Sequence, residues 1–411
     1  MNKKTIAGLI SVLLVSVIVV TAFTPAFALP KGTEPTGAES LKALKETDRG
    51  SYYAFIAADL KATFPKTTVH DEYGNRTLIA YPQEFAGAYI DKSNTLHIVL
   101  TKNANSATKN NYQAILGYDK DVIYEFADFP LSHLYAVQST LGDVMLQFGI
   151  DCTTINEVTN RVDVHLNTTI ASEKEVIDYL NTKFNGFDSR CITFVSPAGI
   201  NISADDTTSN ALAGSNMDTA YTGGTLGFNA YRHPTGQAGV VTAAHLADNG
   251  VNCYNAKSTL IGTPSVRQFS GTLDAEFIPF SASITYSYKM HGFNSPDDCI
   301  THYYPDSSNY TNGMPINKYG RVSGANSGTV LSTSGWCLYN GQRFDDQLVI
   351  SNTEELGDSG GPVFKTVVVS PGTDLHILAG IATFKDDSSN AYVSKVGNMI
   401  SAWDITPFYG V

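Results

Sequence analysis

Gly357-Asp358-Ser359-Gly360-Gly361-Pro362 is the stretch on which the reading of this chain turns. A serine hydroxyl is a weak nucleophile at neutral pH. It needs a base to take its proton and donors aimed at the oxyanion that forms when it attacks a carbonyl. The glycines answer the second need, because they let the backbone turn so that the amides of Gly357 and Ser359 point into one small hole. A Gly-rich turn between two strands is the plain alternative, since Asp, Ser, Gly and Pro are ordinary turn residues. Whether the chain upstream supplies a base, and an acid to orient it, separates the two.

A base is present at Thr242-Ala243-Ala244-His245-Leu246, which ends the strand candidate Gly239-Val240-Val241-Thr242. Small residues before His245 leave room for an imidazole at a strand end, and histidine titrates near neutrality. The acid should lie between His245 and Ser359. Asp306 is a further candidate; Asp248 is too near His245 in a turn, while Asp297-Asp298 and Asp345-Asp346 are paired acids in polar loops that read as solvated surface. Asp274 differs, because Thr272-Leu273-Asp274-Ala275-Glu276-Phe277-Ile278 sets it at the mouth of an apolar strand. A lone carboxylate there is costly unless hydrogen-bonded, which an imidazole N–H would supply.

The chain has 411 residues, 43% hydrophobic and 16% charged, ample for two or three domains with real cores. A net charge of -12 without a basic tract argues against a nucleic-acid or anionic-membrane binder. Lys3 and Lys4 precede an apolar run from Ile6 to Phe23, followed by Ala26-Phe27-Ala28. That pattern predicts a secretory signal over residues 1–28, cleaved after Ala28, and a secreted, extracellular product with no membrane contact once the signal is gone. A retained anchor competes, because the run approaches spanning length. Five cysteines (Cys152, Cys191, Cys253, Cys299, Cys337) suit an oxidising compartment, and the absence of a C-x-x-C pair speaks against a structural zinc site. Cys152 with Cys191 and Cys253 with Cys299 are among the pairings open to an odd set.

Residues 29–200 mix helical and strand patterns, giving an α+β half. Ala38 to Leu60 has helical spacing, interrupted near Gly50. Phe85 to Ile90 and Leu96 to Leu100 flank a short polar turn and predict a hairpin. Val162–Leu166, Glu173–Phe184 and Ile192–Val195 read as strand, helix and strand. His97 and His165 fall in strand patterns and are expected to be structural. A polar segment from Ser196 to Asn210 marks an exposed linker. Residues 201–411 then read as all-β, short apolar runs separated by Gly, Asn, Asp and Ser, the size of two small β-barrels. Thr225–Ala230 and Gly239–Thr242 are its early strands.

The order His, Asp, Ser, with Thr-Ala-Ala-His and Gly-Asp-Ser-Gly-Gly-Pro, resembles the secreted bacterial chymotrypsin-fold serine proteases, nearest to the streptogrisin and α-lytic group. Thr225–Ala230 is similar to that group's first strand. Asn317–Gly324 with Ser327–Val330 is similar to the segment opening its second barrel, and Gly380–Phe384 to the strand along which substrate backbone lies. Ala86–Asp91, Leu96–Leu100 and Thr159–Val164 resemble pro-regions of the same group, which assist folding, inhibit, and are removed after secretion; a permanent accessory domain is the competing reading. The resemblance implies a chymotrypsin-like double β-barrel behind an α+β pro-region, made as a zymogen whose partners are a protein or peptide substrate and its own N-terminal half. It implies a serine endopeptidase using His245, Asp274 and Ser359, an oxyanion hole of Gly357 and Ser359 amides, and no cofactor or metal. It also implies a Lys318–Asp358 pair ordering the loop and a Thr383 hydrogen bond to Asp274. Leu246 and Glu355 stand where relatives carry bridging cysteines, so the usual bridges are missing. Thr353, Glu354, Thr383, Lys385 and Asn390 would border the substrate pocket. Lys385 and Thr353 favour an acidic or small polar residue before the scissile bond; an inward-facing Glu354 would reverse that. A catalytically silent binding or adhesion protein on this scaffold is the alternative function.

Overall fold

Strands of the C-terminal half close into a ring. Pro315–Gly320 pairs with Pro362–Ser370, then in turn come Thr373–Lys385, Asn390–Lys395, Gln342–Thr353 and Gly324–Tyr339, which pairs back with Pro315–Gly320. All of these pairings are antiparallel, so the ring is a barrel without free edges. Alternation along Pro315–Gly320 buries Ile316, Lys318 and Gly320. Lys318 therefore points its ammonium away from water and needs a partner.

The computed structural model describes residues 37–71, 74–117, 119–202, 216–219, 222–255, 258–282, 284, 300–305, 309–370 and 373–408. The predicted leader, residues 203–210 of the predicted linker, Cys299 and the acid candidates Asp297, Asp298 and Asp306 lie outside them. Strand dominates, with few helices, and among the described residues no helix is long and apolar enough to cross a membrane.

Ahead of the barrel, residues 216–279 form two small sheets. One orders Val266–Ser270, Leu273–Pro279, Gln237–Thr242, Phe228–Arg232 and the C-terminal Ile405–Pro407. The other orders Gly223–Thr225, Asn216–Asp218, Cys253–Asn255 and Leu260–Gly262. They share one core of Met217, Leu226, Val240, Ala243, Leu246, Ile261 and Ile278. The strands of the second sheet are three residues each, too short to carry the ladder around a closed ring.

In the N-terminal half, the helical stretch breaks near Gly50 as expected, at Asp48. Asp48 caps Arg49–Ala62 by accepting from the Ser51 amide, and a capping aspartate starts a new helix where it stands. The hairpin is Phe85–Ile90 with Leu96–Thr101; its turn is tied by Asp91, whose carboxylate accepts from Ser93 and Thr95. A strand absent from the sequence reading, Ile150–Asn156, joins the halves. It pairs with Arg161–Leu166 on one side and with Gly324–Tyr339 of the barrel on the other. Arg161–Leu166 then pairs with Ile192–Val195 in parallel, joined by Glu173–Lys183, a helix opened by a Ser172–Glu175 capping box.

This seam is well packed. Gln138, wholly buried, donates to the carbonyls of Thr153 and Ser334, one on each side. A Cβ on Gly142 would sit 1.9 Å from the Trp336 ring, so only glycine permits this approach. The order of strands also corrects one cysteine pairing. Arg161–Leu166 lies between the strand of Cys152 and the strand that follows Cys191. Two strand spacings are about 9–10 Å, beyond disulfide reach. The four described cysteines are buried and free.

Candidate active site

His245 lies in a single 3-10 turn, Ala244–Leu246, immediately after Gln237–Thr242. Arg267 clamps that turn by donating from Nε to the carbonyls of Ala244 and Ala247, both at 2.9 Å. Asp274, at the start of Leu273–Pro279, grips His245 twice. Its Oδ1 accepts from the His245 amide at 3.0 Å and its Oδ2 lies 2.5 Å from Nδ1. The two-point grip fixes ring orientation, and a carboxylate on Nδ1 places that nitrogen's proton there and leaves Nε2 as the acceptor.

Asp274 is itself supported from the barrel. Its amide donates to Ser394 Oγ, which donates to Gln347 Oε1, and Gln347 Nε2 donates to Thr272 and Asp345 carbonyls. Ser394 and Gln347 were not found from sequence, because other polar residues such as Asp345, Asn352 and Lys395 are buried in the same strands. Glu276, next on the same strand face, is wholly buried, and burial pushes its carboxyl well above the usual range.

Ser359 sits in the turn between Gln342–Thr353 and Pro362–Ser370. The turn is anchored on Thr225, whose amide donates to the Ser359 carbonyl and whose hydroxyl donates to the Gly357 carbonyl, both at 2.7 Å. Amides of Asp358, Gly360 and Gly361 donate to carbonyls of Glu355, Ala382 and Asp358. Gly360 has φ of 88°, and a Cβ there would lie 2.1 Å from Thr225 O and Thr242 Oγ1 and 3.2 Å from Ala243 N. Glycine is thus required where the serine loop packs on the histidine turn.

The Ser359 hydroxyl donates to the Thr383 carbonyl at 3.0 Å, while His245 Nε2 is buried with no hydrogen-bond partner among the described residues. Thr383 is the extra residue of a bulge, between the pairs Ala382–Val393 and Phe384–Tyr392. The bulge gives its backbone a setting apart from the regular ladder. Base and acid are joined, then, and the serine is turned to another acceptor.

Lys318 Nζ lies 2.7 Å from both Asp358 Oδ2 and Glu354 Oε2, all three side chains wholly buried. Asp358 also accepts from the amides of Val322, Ser323 and Glu355. Burial works against both charges, but the mutual attraction wins; Lys318 is held above and Asp358 below the ordinary value.

The pocket candidates scatter. Glu354 faces Lys318 in the interior rather than a pocket floor. The Thr383 hydroxyl donates to the Tyr392 carbonyl rather than to Asp274, and the hydroxyl that meets that residue is Ser394 Oγ, which accepts from the Asp274 amide. Thr353 is exposed, and Asn390, its register partner, donates to Asp386. Lys385 Nζ is 4.0 Å from Glu355. The strand bearing Thr383 is paired antiparallel with Asn201–Ile202, with Ile202 opposite Phe384 and Asn201 opposite Lys385. Just before them, Ala198 packs with Phe344, Phe384 and Tyr392, the aromatic group beside His245.

No protein-family model matches the chain, and no curated protein matches it in sequence. Its neighbours among solved structures are bacterial serine proteases of chymotrypsin fold. A glutamic acid-specific serine protease is 18% identical with a TM-score of 0.40, over 48% of this chain and 100% of that one. The Nocardiopsis protease is 19% identical, TM-score 0.39, over 48% and 97%. Thermobifida fusca protease A is 17% identical, TM-score 0.39, over 48% and 98%.

Proposed function

We propose that the protein is a secreted serine endopeptidase made as a precursor, its residues 201–411 a chymotrypsin-like catalytic domain and residues 29–200 a pro-region. The observation that carries this is the two-point grip of Asp274 on His245 beside a Gly360-dependent serine turn. In the working enzyme the Ser359 hydroxyl turns from Thr383 to His245 Nε2, which takes its proton as the oxygen attacks the peptide carbonyl. His245 then returns that proton to the leaving amine, and water repeats the cycle on the acyl-enzyme. Asp274 holds the tautomer and stabilises the imidazolium. Amides of Gly357 and Ser359 hold the oxyanion, a donor of this type being worth roughly 10²–10³ in turnover. The buried Lys318–Asp358 pair keeps that loop in shape.

An inhibitory role for the segment at the domain boundary is supported by Asn201–Ile202, the first residues after the 29–200 region, which add a strand to Thr373–Lys385 as an extended peptide substrate does. With that edge occupied and Ser359 wholly buried, an outside peptide has no approach. For specificity, Glu354 being committed to Lys318 leaves Lys385 to set the sign of the pocket, favouring an acidic or small polar residue before the scissile bond. Hydrolysis of labelled casein after removal of residues 29 to about 200 tests the proposal. Turnover lost on Ser359→Ala or His245→Ala is expected; turnover unchanged in both would refute it.

A further inference from the structure

Two thiols meet at the seam between the halves. In the antiparallel pairing of Ile150–Asn156 with Gly324–Tyr339, Cys152 stands directly opposite Cys337. Opposed residues of such a pair have Cα atoms about 4.5 or 5.5 Å apart, and a disulfide spans Cα separations of about 4.4–6.8 Å. Either setting fits. Both side chains leave the sheet on one face and enter the same cluster with Phe344, Phe384 and Tyr392, wholly buried. Cys253 lies in the core of the first small sheets and Cys191 beyond an intervening strand.

We infer that Cys152 and Cys337, free thiols in this structure, are placed to close into a cross-strand disulfide that ties the N-terminal half covalently to the catalytic barrel. The oxidising surroundings this needs rest on the secreted-precursor reading; the geometry does not. The oxidant is a small-molecule or protein disulfide. One cysteine thiolate attacks it, breaking its S–S bond and releasing one thiol. The second cysteine displaces the mixed disulfide, forming Cys152–Cys337 and releasing the other thiol. The two cysteines lose two S–H protons and two electrons, and the oxidant disulfide takes up both, leaving as two thiols.

Burial pushes both thiols far above their usual range, so in the folded chain they hold almost no thiolate. The bridge is accordingly made during folding, and once made is shielded from reductant. Tyr392 Oη lies 2.8 Å from Cys152 Sγ; a disulfide sulfur can only accept, so in the bridged state the Tyr392 hydroxyl is the donor. Cutting the chain within residues 203–215 then leaves the halves joined, and unfolding alone does not separate them; the bridge must be opened as well.

The test uses the full chain carrying Ser359→Ala, to prevent self-digestion, refolded with glutathione disulfide and, separately, exported to a bacterial periplasm. Unreduced peptide mapping should join the Cys152 and Cys337 peptides, with a mass two hydrogens lower. After a nick within residues 203–215 one band should persist on a denaturing gel, splitting with dithiothreitol. Cys337→Ser should split without it. Alkylation of both cysteines in the denatured, unreduced chain, or a bridge from either to another cysteine, overturns the inference. A serine-directed phosphonate probe on the Ser359 chain reports the hydrolase reading separately, so one can fail without the other.

Discussion

Lys318→Met is the perturbation that bears hardest on the loop. Lys318 is wholly buried between Glu354 and Asp358, each at 2.7 Å, so its removal leaves two uncompensated carboxylates in the interior. Removing one partner of a buried ion pair costs about 3–5 kcal/mol, because the surviving charge keeps its desolvation penalty. The triple change Lys318→Met, Glu354→Gln, Asp358→Asn removes all the charges and should recover most of that loss. Urea unfolding of the full chain at pH 7 gives the free energies, and casein hydrolysis by the processed enzyme gives the effect on the loop. The pair also sets a pH window. Asp358, held low, stabilises the fold above the ordinary carboxylate range, and this is lost as pH falls through its lowered pKa. Lys318, held high, stabilises below the ordinary lysine value, and this is lost as pH rises through its raised pKa. The single variant should lose both limbs. Stability within about 1 kcal/mol of the parent together with unchanged hydrolysis would refute the reasoning, because a broken buried pair cannot cost so little.

Two more outcomes follow from the same packing. Asp274→Asn keeps the shape of the site but cannot fix the proton on His245 Nδ1, so kcat of the processed enzyme should fall by about 10⁴ with KM little changed; steady-state kinetics on a peptide amide checks it. Lys365 projects from the barrel onto Phe55 of the N-terminal half with no hydrogen-bond partner among the described residues, and burial brings its pKa down to about 7. Its protonation opposes the docked state, so docking gains stability as pH rises from about 7 toward the ordinary lysine value. Lys365→Met should therefore stabilise the full chain near pH 7 by up to roughly 4 kcal/mol, an advantage that shrinks at high pH in urea titrations.

How much could be read from sequence divides along local and non-local lines. Gly357–Pro362 and Thr242–Leu246 are short, and each carries its chemistry in adjacent residues. Asp274 stood out because a carboxylate in an apolar strand must have a partner, and His245 is the group that meets it. Ser394 and Gln347 have no such mark, since their role arises only when strands far apart in sequence close the barrel behind Asp274. The direction of Glu354 was undecidable without the strand's end geometry, and it turned to Lys318. The register that joins Ile150–Asn156 to the barrel, and with it the meeting of Cys152 and Cys337, depends on a long-range pairing that no local pattern encodes.

The central claim is that Ser359, served by His245, is a nucleophile held in check by the chain that precedes it. The direct measurement is labelling by a fluorophosphonate probe, before and after residues 203–215 are cut, the N-terminal half is removed by unfolding under reductant, and the C-terminal half is refolded. Slow labelling of the intact chain, fast labelling of the freed C-terminal half, and none in Ser359→Ala is the predicted result. A freed, folded C-terminal half that takes no label, or takes it equally with Ser359→Ala, would contradict it.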